Sequence, residues 1–126
     1  MVKYLLDTNI CIYLLKHQPK SVLDRFASCH VGEVAISAIT WAELLRGLDK
    51  YEPKAEFERL RGLLQVLPFD EKSAVCFGEY MKTANHKASF DTLIACHAKA
   101  HQLTLVTNNT KDFERYGVSL ENWVQA

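Results

Sequence analysis

Four acidic residues are the first candidates for chemistry in this chain. Each lies close to an apolar segment and a cluster of Ser, Thr or Asn residues, and they are Asp7, Glu43, Asp91 and Asp112. Asp7 interrupts a strongly apolar run, where an unpaired charge is costly. Carboxylates that are brought together raise each other's pKa unless a cation neutralises them, so convergence of these four would imply a bound metal.

The ligand chemistry indicates which metal such a cluster would hold. Carboxylate oxygens without a spaced His or Cys pattern suit Mg²⁺ or Mn²⁺ better than zinc. The four cysteines show no paired short spacing, so we expect buried thiols rather than disulfides. An ion held by carboxylates activates water for attack on a phosphoester, which makes phosphoester cleavage the expected chemistry. This chemistry alone does not choose RNA over DNA.

Each acid also has a simpler local explanation. Thr40 and Glu43 match a capping box, in which the two side chains cap one helix and need no ligand. Asp91 suits a helix N-cap, and Asp112 suits a solvated position beside Lys111. The functional interpretation therefore depends on whether the fold brings the four acids together.

Apolar runs separated by helical stretches predict the elements that must position these acids. The predicted strands are Val2 to Leu6, Val34 to Ile36, Val66 to Leu67, Thr104 to Thr107 and, at one edge, Val118 to Val124. The predicted helices are Ile10 to Leu15, Lys20 to Cys29, Thr40 to Tyr51, Lys54 to Gln65, Asp70 to Thr83 and Phe90 to Gln102, with a break at Pro53. This alternation predicts a three-layer α/β/α domain with a central, mainly parallel sheet of four or five strands.

The predicted sheet places the acids at one edge. Asp7 follows the first strand, while Glu43 and Asp112 lie shortly after the second and fourth strands. Asp91 begins the helix that leads into the fourth strand. Because ligands of such folds bind beyond the carboxyl ends of the strands, we expect one acidic site there.

Length and composition exclude several classes of protein. The chain has 126 residues, which suits a single domain over residues 1–126. Fifteen basic and fifteen acidic residues give a net charge of zero, so no global charge marks it for nucleic acid or a membrane surface. Its apolar runs are too short for a membrane span and fit no signal peptide. We expect a soluble, cytoplasmic protein without a membrane partner.

Four segments resemble, in order, the four motifs of one known family. They are LLDTNICIY from Leu5, AISAITWAEL from Ala35, FDTLIACHA from Phe90 and LVTNNTKDF from Leu105. On these motifs the chain is similar, over nearly its whole length, to the VapC-type toxins of the PIN-domain family. The resemblance implies a Mg²⁺- or Mn²⁺-dependent endoribonuclease that acts on structured RNA, typically tRNA or rRNA. It also implies a cognate antitoxin, and we expect a homodimer.

The resemblance assigns roles to individual residues. It places the catalytic and metal-binding roles on Asp7, Glu43, Asp91 and Asp112. Hydrogen-bonding side chains expected to orient an acid or a water are Thr8, Asn9, Ser37 and Asn109. Some PIN domains carry an acid at the position of Asn109, whereas this chain has its acid three residues later. Cations expected to meet RNA phosphates are Arg46, Lys82, Lys87 and Lys111.

Two other interpretations stay open at this point. A catalytically silent PIN-like module would bind RNA or a protein without cutting it. A phosphatase built on Asp7 would need a second acid two residues later, where the chain has Asn9. His97 follows the third acid on its helix, and we expect a packing role for it rather than general-base catalysis.

Overall fold

The centre of the fold is a parallel sheet of five strands. The computed structural model describes residues 1–47 and 54–124. The strands are β1 (Tyr4–Leu6), β2 (Val34–Ser37), β3 (Gln65–Leu67), β4 (Thr104–Val106) and β5 (Leu120–Glu121). Their order across the sheet is β3-β2-β1-β4-β5, and every neighbouring pair is parallel. The predicted parallel sheet is confirmed, with the higher of the two strand counts.

Helices connect the strands, as parallel pairing requires. They are α1 (Thr8–Leu15), α2 (Lys20–Ala27), α3 (Ala38–Arg46), α4 (Lys54–Leu63), α5 (Glu71–Thr83), α6 (Phe90–Ala100) and α7 (Thr110–Phe113), followed by a 3₁₀ turn at Glu114–Tyr116. None of the helices within the described ranges has the length and apolar character needed to cross a membrane.

Alternating strand residues supply two hydrophobic cores, one on each face of the sheet. Leu5 and Leu105 pack with buried residues of α6 and the 3₁₀ turn. Leu6 and Val106 pack with buried residues of α1, α2, α3 and α4. Since successive side chains of a strand point to opposite faces, this division places helices on both sides of the sheet. The predicted three-layer α/β/α arrangement is therefore confirmed.

The bounds of the first and last strands differ from the prediction. The first strand begins at Tyr4 rather than Val2, because the amides of both Lys3 and Tyr4 donate to the carbonyl oxygen of Glu33. The strand predicted from Val118 to Val124 is reduced to β5, two residues long. The amide of Val124 donates to the side chain of Asn122 at 2.8 Å, so this segment turns away from the ladder.

The start of α3 excludes the capping box that was the simpler explanation for Thr40 and Glu43. Ser37 is the N-cap, and its hydroxyl accepts a hydrogen bond from the amide of Ile39 at 3.1 Å. Thr40 lies inside the helix, fully buried, and its hydroxyl has no hydrogen-bond partner among the described residues. The last residues of the predicted helix, 48–51, and the break at Pro53 lie outside the described residues. Glu43 is thus available for a different contact.

The start of α6 excludes the N-cap that was the simpler explanation for Asp91. Ser89 is the N-cap, and it forms a capping box with Thr92: the Ser89 hydroxyl accepts from the Thr92 amide at 3.4 Å, and the Thr92 hydroxyl accepts from the Ser89 amide at 3.1 Å. Asp91 lies in the first turn without capping it. An acid there is favoured by the partial positive charge of the helix N-terminus.

Candidate active site

Asp7 is held from two directions at the carboxyl end of β1. Its side chain is only 4% exposed. One carboxylate oxygen, Oδ1, accepts a hydrogen bond from the amide of Thr8 at 2.7 Å. The other, Oδ2, accepts from the hydroxyl of Thr107 at 2.8 Å. The carboxylate is therefore fixed in orientation before any ligand binds.

Thr107 is a site residue that the sequence analysis missed. It is fully buried, and its hydroxyl also accepts a hydrogen bond from the amide of Asn109 at 3.0 Å, which leaves its hydrogen for Asp7. The parallel register of β1 and β4 is what brings Thr107 next to Asp7. Leu6 of β1 pairs with Val106 of β4. The residues that follow these two, Asp7 and Thr107, therefore lie side by side at the carboxyl ends of the strands.

Thr8 connects Asp7 to the second acid. Its amide donates to Asp7, and its hydroxyl donates to Oε1 of Glu43 at 2.6 Å. The Glu43 side chain thus crosses from α3 to the start of α1 instead of capping its own helix. Thr8 alone therefore donates a hydrogen bond to each of two carboxylates, those of Asp7 and Glu43, and orients both.

The acids line one cleft beyond the carboxyl ends of β1 and β4. The cleft has a volume of about 270 Å³, and its lining residues are Asp7, Thr8, Asn9, Ile12, Glu43, Arg46, Asp91 and Asn109. Three of the four predicted acids therefore come together, with both predicted asparagines. Asp112 is exposed in α7 and does not line the cleft, yet its negative charge contributes to the raised pKa of Asp91.

The electrostatics of the cleft disfavour several negative charges at once. The pKa of Asp7 is raised to about 6, mainly by burial and also by the charges of Asp91 and Glu43, which together outweigh the hydrogen bonds from Thr107 and Thr8 that lower it. Partial desolvation also raises the pKa of Asp91, with added repulsion from Glu43 and Asp112. Such mutual repulsion is relieved when a cation binds between the acids.

The donor atoms around the cleft are all oxygens, from carboxylates, a hydroxyl and side-chain amides. This set suits a hard divalent cation such as Mg²⁺ or Mn²⁺. Within residues 1–47 and 54–124, however, no three His, Cys, Asp or Glu side chains already stand together as a metal-binding group. The residues fit such an ion by donor type and by charge, without a preformed coordination shell.

Ser37 does not have the predicted role beside Asp7. Its hydroxyl caps α3 and lies 2.8 Å from Nδ1 of His97. His97 is fully buried, which lowers its pKa to about 4, and its ring meets Phe69 edge-on. The expected packing role of His97 agrees with this position, on the α6 side of the sheet.

The four predicted RNA-contacting cations are not equivalent in the structure. Arg46 lines the acidic cleft. The other three candidates are lysines, and all three are exposed and absent from the cleft lining in the described part of the chain. Lys82 forms an ion pair with Glu79 at 3.2 Å. Contact of Lys82, Lys87 and Lys111 with RNA stays a prediction.

Comparison with known proteins assigns the fold. The family model for the PIN domain matches residues 4–118. The chain belongs to the PIN-domain family. Within that family it is similar to the tRNA(fMet)-specific endonuclease VapC of Shigella flexneri, with 37% identity over 98% of this chain and 99% of the relative. It is also similar to ribonuclease VapC2 of Haemophilus influenzae, with 40% identity over 98% of this chain and 100% of the relative.

A solved structure shows the same architecture. It is the crystal structure of VapBC2 from Rickettsia felis bound to a DNA fragment from its promoter. It has 33% sequence identity to this PIN domain and a TM-score of 0.85, and it covers 98% of this chain and 99% of that one. The resemblance expected from the four motifs is thereby confirmed, and the acidic cleft lies within the residues that match the family.

Proposed function

We propose that this PIN domain is a Mg²⁺- or Mn²⁺-dependent endoribonuclease toxin. The observation that carries the proposal is the convergence of Asp7, Glu43 and Asp91, from three separate elements, on one cleft. A buried carboxyl with a pKa raised to about 6, beside two more acids, is costly for stability and is typical of a functional site. The relatives named as ribonucleases support RNA as the substrate.

The chain's own residues supply orientation and charge. Thr8 and Thr107 fix the carboxylate of Asp7, and Thr8 also fixes Glu43, so that the acids present free lone pairs to the cleft. When bound, a divalent cation lowers the pKa of water and compensates charge on the phosphate. Asn109 adds a neutral amide to the lining, suited to hold a water or a phosphate oxygen by hydrogen bonding.

Asp112 belongs to the proposed site in a lesser role. Its side chain is exposed and lies outside the lining of the cleft, while its charge acts on Asp91. We assign it an electrostatic contribution to cation binding rather than the central position of Asp7.

The proposed substrate is structured RNA, with tRNA favoured over rRNA by the name of the Shigella flexneri relative. The test incubates the purified protein separately with initiator tRNA, elongator tRNAs and rRNA in Mg²⁺ or Mn²⁺, with and without a chelator. We expect new RNA ends at defined positions, lost with the chelator. Binding of RNA without cleavage in either metal would contradict the proposal and favour a catalytically silent module.

A cognate antitoxin is the second part of the proposal, supported by the solved VapBC complex. We expect the antitoxin to cover the acidic cleft and the protein to act as a cytoplasmic homodimer. Coexpression with a candidate antitoxin should abolish RNA cleavage and change the mass measured by light scattering. Unchanged cleavage in the presence of a bound antitoxin would contradict inhibition at the cleft.

A further inference from the structure

An exposed aromatic side chain lies beside the acidic cleft and is not packed into either of the two hydrophobic cores of the described residues. Phe90 is the first residue of α6 and directly precedes Asp91, and 47% of its surface is exposed. Because burial of an aromatic ring is favourable, an exposed Phe is informative where it borders a charged site. Neither the proposed chemistry nor the packing of the sheet uses this side chain.

Arg46 links this ring to the cleft. Its guanidinium carbon lies 5.5 Å from the centre of the Phe90 ring, and the same side chain lines the acidic cleft. Stacking on an aromatic ring restrains a long side chain that is otherwise flexible. The Arg46 charge is thereby held at the rim, where it faces both the acids and the ring.

Phe90 also lines an apolar hollow of about 450 Å³. Its lining residues are Phe77, Ala88, Ser89, Phe90 and Leu93. The hollow and the acidic cleft are lined by consecutive residues of α6, since Phe90 lines the hollow and Asp91 lines the cleft. A flat apolar group in the hollow would therefore lie next to a charged group in the cleft.

We infer that Phe90 and Arg46 form a binding site for one unpaired nucleotide that flanks the scissile phosphate. The base packs against the Phe90 ring in the hollow, and Arg46 binds the neighbouring phosphate. Unpaired RNA bases stack on aromatic and arginine side chains, whereas a duplex keeps its bases inside. The inference rests on the proposed ribonuclease function and deepens it: the substrate must offer a splayed, single-stranded nucleotide at the cut.

RNA fits this pair of pockets better than a protein segment does. An apolar helix would use the hollow alone and leave the Arg46 charge beside the acids unused. One nucleotide carries a flat base and a negatively charged phosphate next to each other. This pair of groups matches an apolar hollow beside the Arg46 cation. Protein occupancy is therefore an outcome of the test that would overturn the inference.

The test measures binding, so that it does not depend on cleavage. In the background of Asp7→Asn, a short unstructured RNA carrying a fluorescent base analogue is titrated with Phe90→Ala, Phe90→Leu and Phe90→Trp variants in Mg²⁺. We expect Phe90→Ala to weaken RNA binding roughly 5- to 150-fold, the loss of about one stacked base. Phe90→Leu should remain weak and Phe90→Trp should restore binding, because stacking needs a planar ring. Leu63→Ala, which removes an apolar side chain that is also exposed, is the control.

A chemical control distinguishes base stacking from general loss of contact. An abasic RNA of the same length, labelled at its end, should bind Asp7→Asn and its Phe90→Ala variant equally. Arg46→Lys should weaken RNA binding and reduce its selectivity for the intact base, since lysine keeps the charge without the planar stacking surface.

Different results separate the two claims. Equal RNA affinity for Phe90→Ala and its parent would overturn the stacking site even if the enzyme cuts RNA, as would a change confined to antitoxin binding. Absence of RNA cleavage by the parent, with Phe90-dependent RNA binding intact, would overturn the proposed ribonuclease while leaving the nucleotide site. Unchanged melting temperatures of the variants show that the fold is preserved.

Discussion

At Asp7, burial and hydrogen bonding act on the carboxyl pKa in opposite directions, and burial dominates. Asp7 could be singled out from the sequence because it interrupts an apolar strand, and the structure places it in the acidic cleft. Its two hydrogen-bond donors were less predictable: Thr8 is adjacent in sequence, whereas Thr107 is distant and becomes visible only through the register of two strands. The contact between Thr107 and Asp7 thus depends on the pairing of two distant strands, which the local sequence does not show.

The raised pKa of Asp7 makes the stability of the metal-free protein depend on pH. Its folded-state pKa of about 6 lies above its usual value of 3.8, so protonated Asp7 stabilises the fold at low pH. That contribution is lost as pH rises from about 4 to about 6. Asp7→Asn should therefore raise the free energy of unfolding at pH 7 by up to about 3 kcal/mol and change it little at pH 4. Urea unfolding in chelator measures both values.

The exposed Asp24→Asn variant is the control for loss of one negative charge, since Asp24 pairs with Lys20 on the surface, away from the acidic cleft. A loss of stability in Asp7→Asn that is equal at both pH values would contradict the assigned pKa.

Thr107 offers a test of the carboxylate's orientation. Thr107→Val removes the hydroxyl that donates to Asp7 and leaves the shape of the side chain, so RNA cleavage should fall roughly 10- to 100-fold. Thr107→Ser keeps the hydroxyl and should retain most of the activity. Cleavage rates on one RNA under saturating metal compare them, and equal rates for the valine and serine variants would exclude a positioning role.

At the scale of the elements, the alternation of strands and helices was readable from hydrophobic periodicity, and the cap positions were not. Two acids matched helix-start patterns, but Ser37 and Ser89 occupy the caps instead. Several side chains near a helix start compete for the same amides, and the packing of the helix decides among them. The displaced acids, Glu43 and Asp91, are the ones that line the cleft.

The cap assignment of α3 predicts opposite effects for two neighbouring substitutions. Ser37→Ala removes the N-cap and the partner of His97, so it should reduce the free energy of unfolding by about 1–3 kcal/mol. Thr40→Val replaces a buried hydroxyl without a partner in the described structure, so stability should stay the same or rise. Chemical denaturation compares the two, and a larger loss for Thr40→Val would support the capping box instead.

At the scale of the molecule, the fold class and the position of the acidic cleft at the carboxyl ends of the strands were predictable, because parallel strands must end together where their connections begin. The sequence did not predict which of the candidate cations line the cleft. Sequence proximity placed Lys82 beside a motif, yet it pairs with Glu79 on the surface of α5, while Arg46 alone of the four candidates lines the cleft. Proximity along the chain does not specify on which side of a helix a residue lies.

Cation binding should be visible in the stability of the whole domain. An ion that binds only the folded protein raises its stability by about 2.7 kcal/mol at a hundredfold excess over the dissociation constant. We expect Mg²⁺ or Mn²⁺ to raise the melting temperature of the parent protein and to have little effect on Asp7→Asn. An equal rise in both would place the ion elsewhere.

The central claim is that carboxylates from separate elements act as one nuclease site. The cleavage rate of a single tRNA pool in Mg²⁺ tests it most directly, compared among the parent and Asp7→Asn, Glu43→Gln, Asp91→Asn and Asp24→Asn. We expect each of the three cleft variants to lose more than the roughly 100-fold expected for a supporting residue, while Asp24→Asn cuts at the parent's rate. Cleavage by Asp7→Asn at the parent's rate would contradict it.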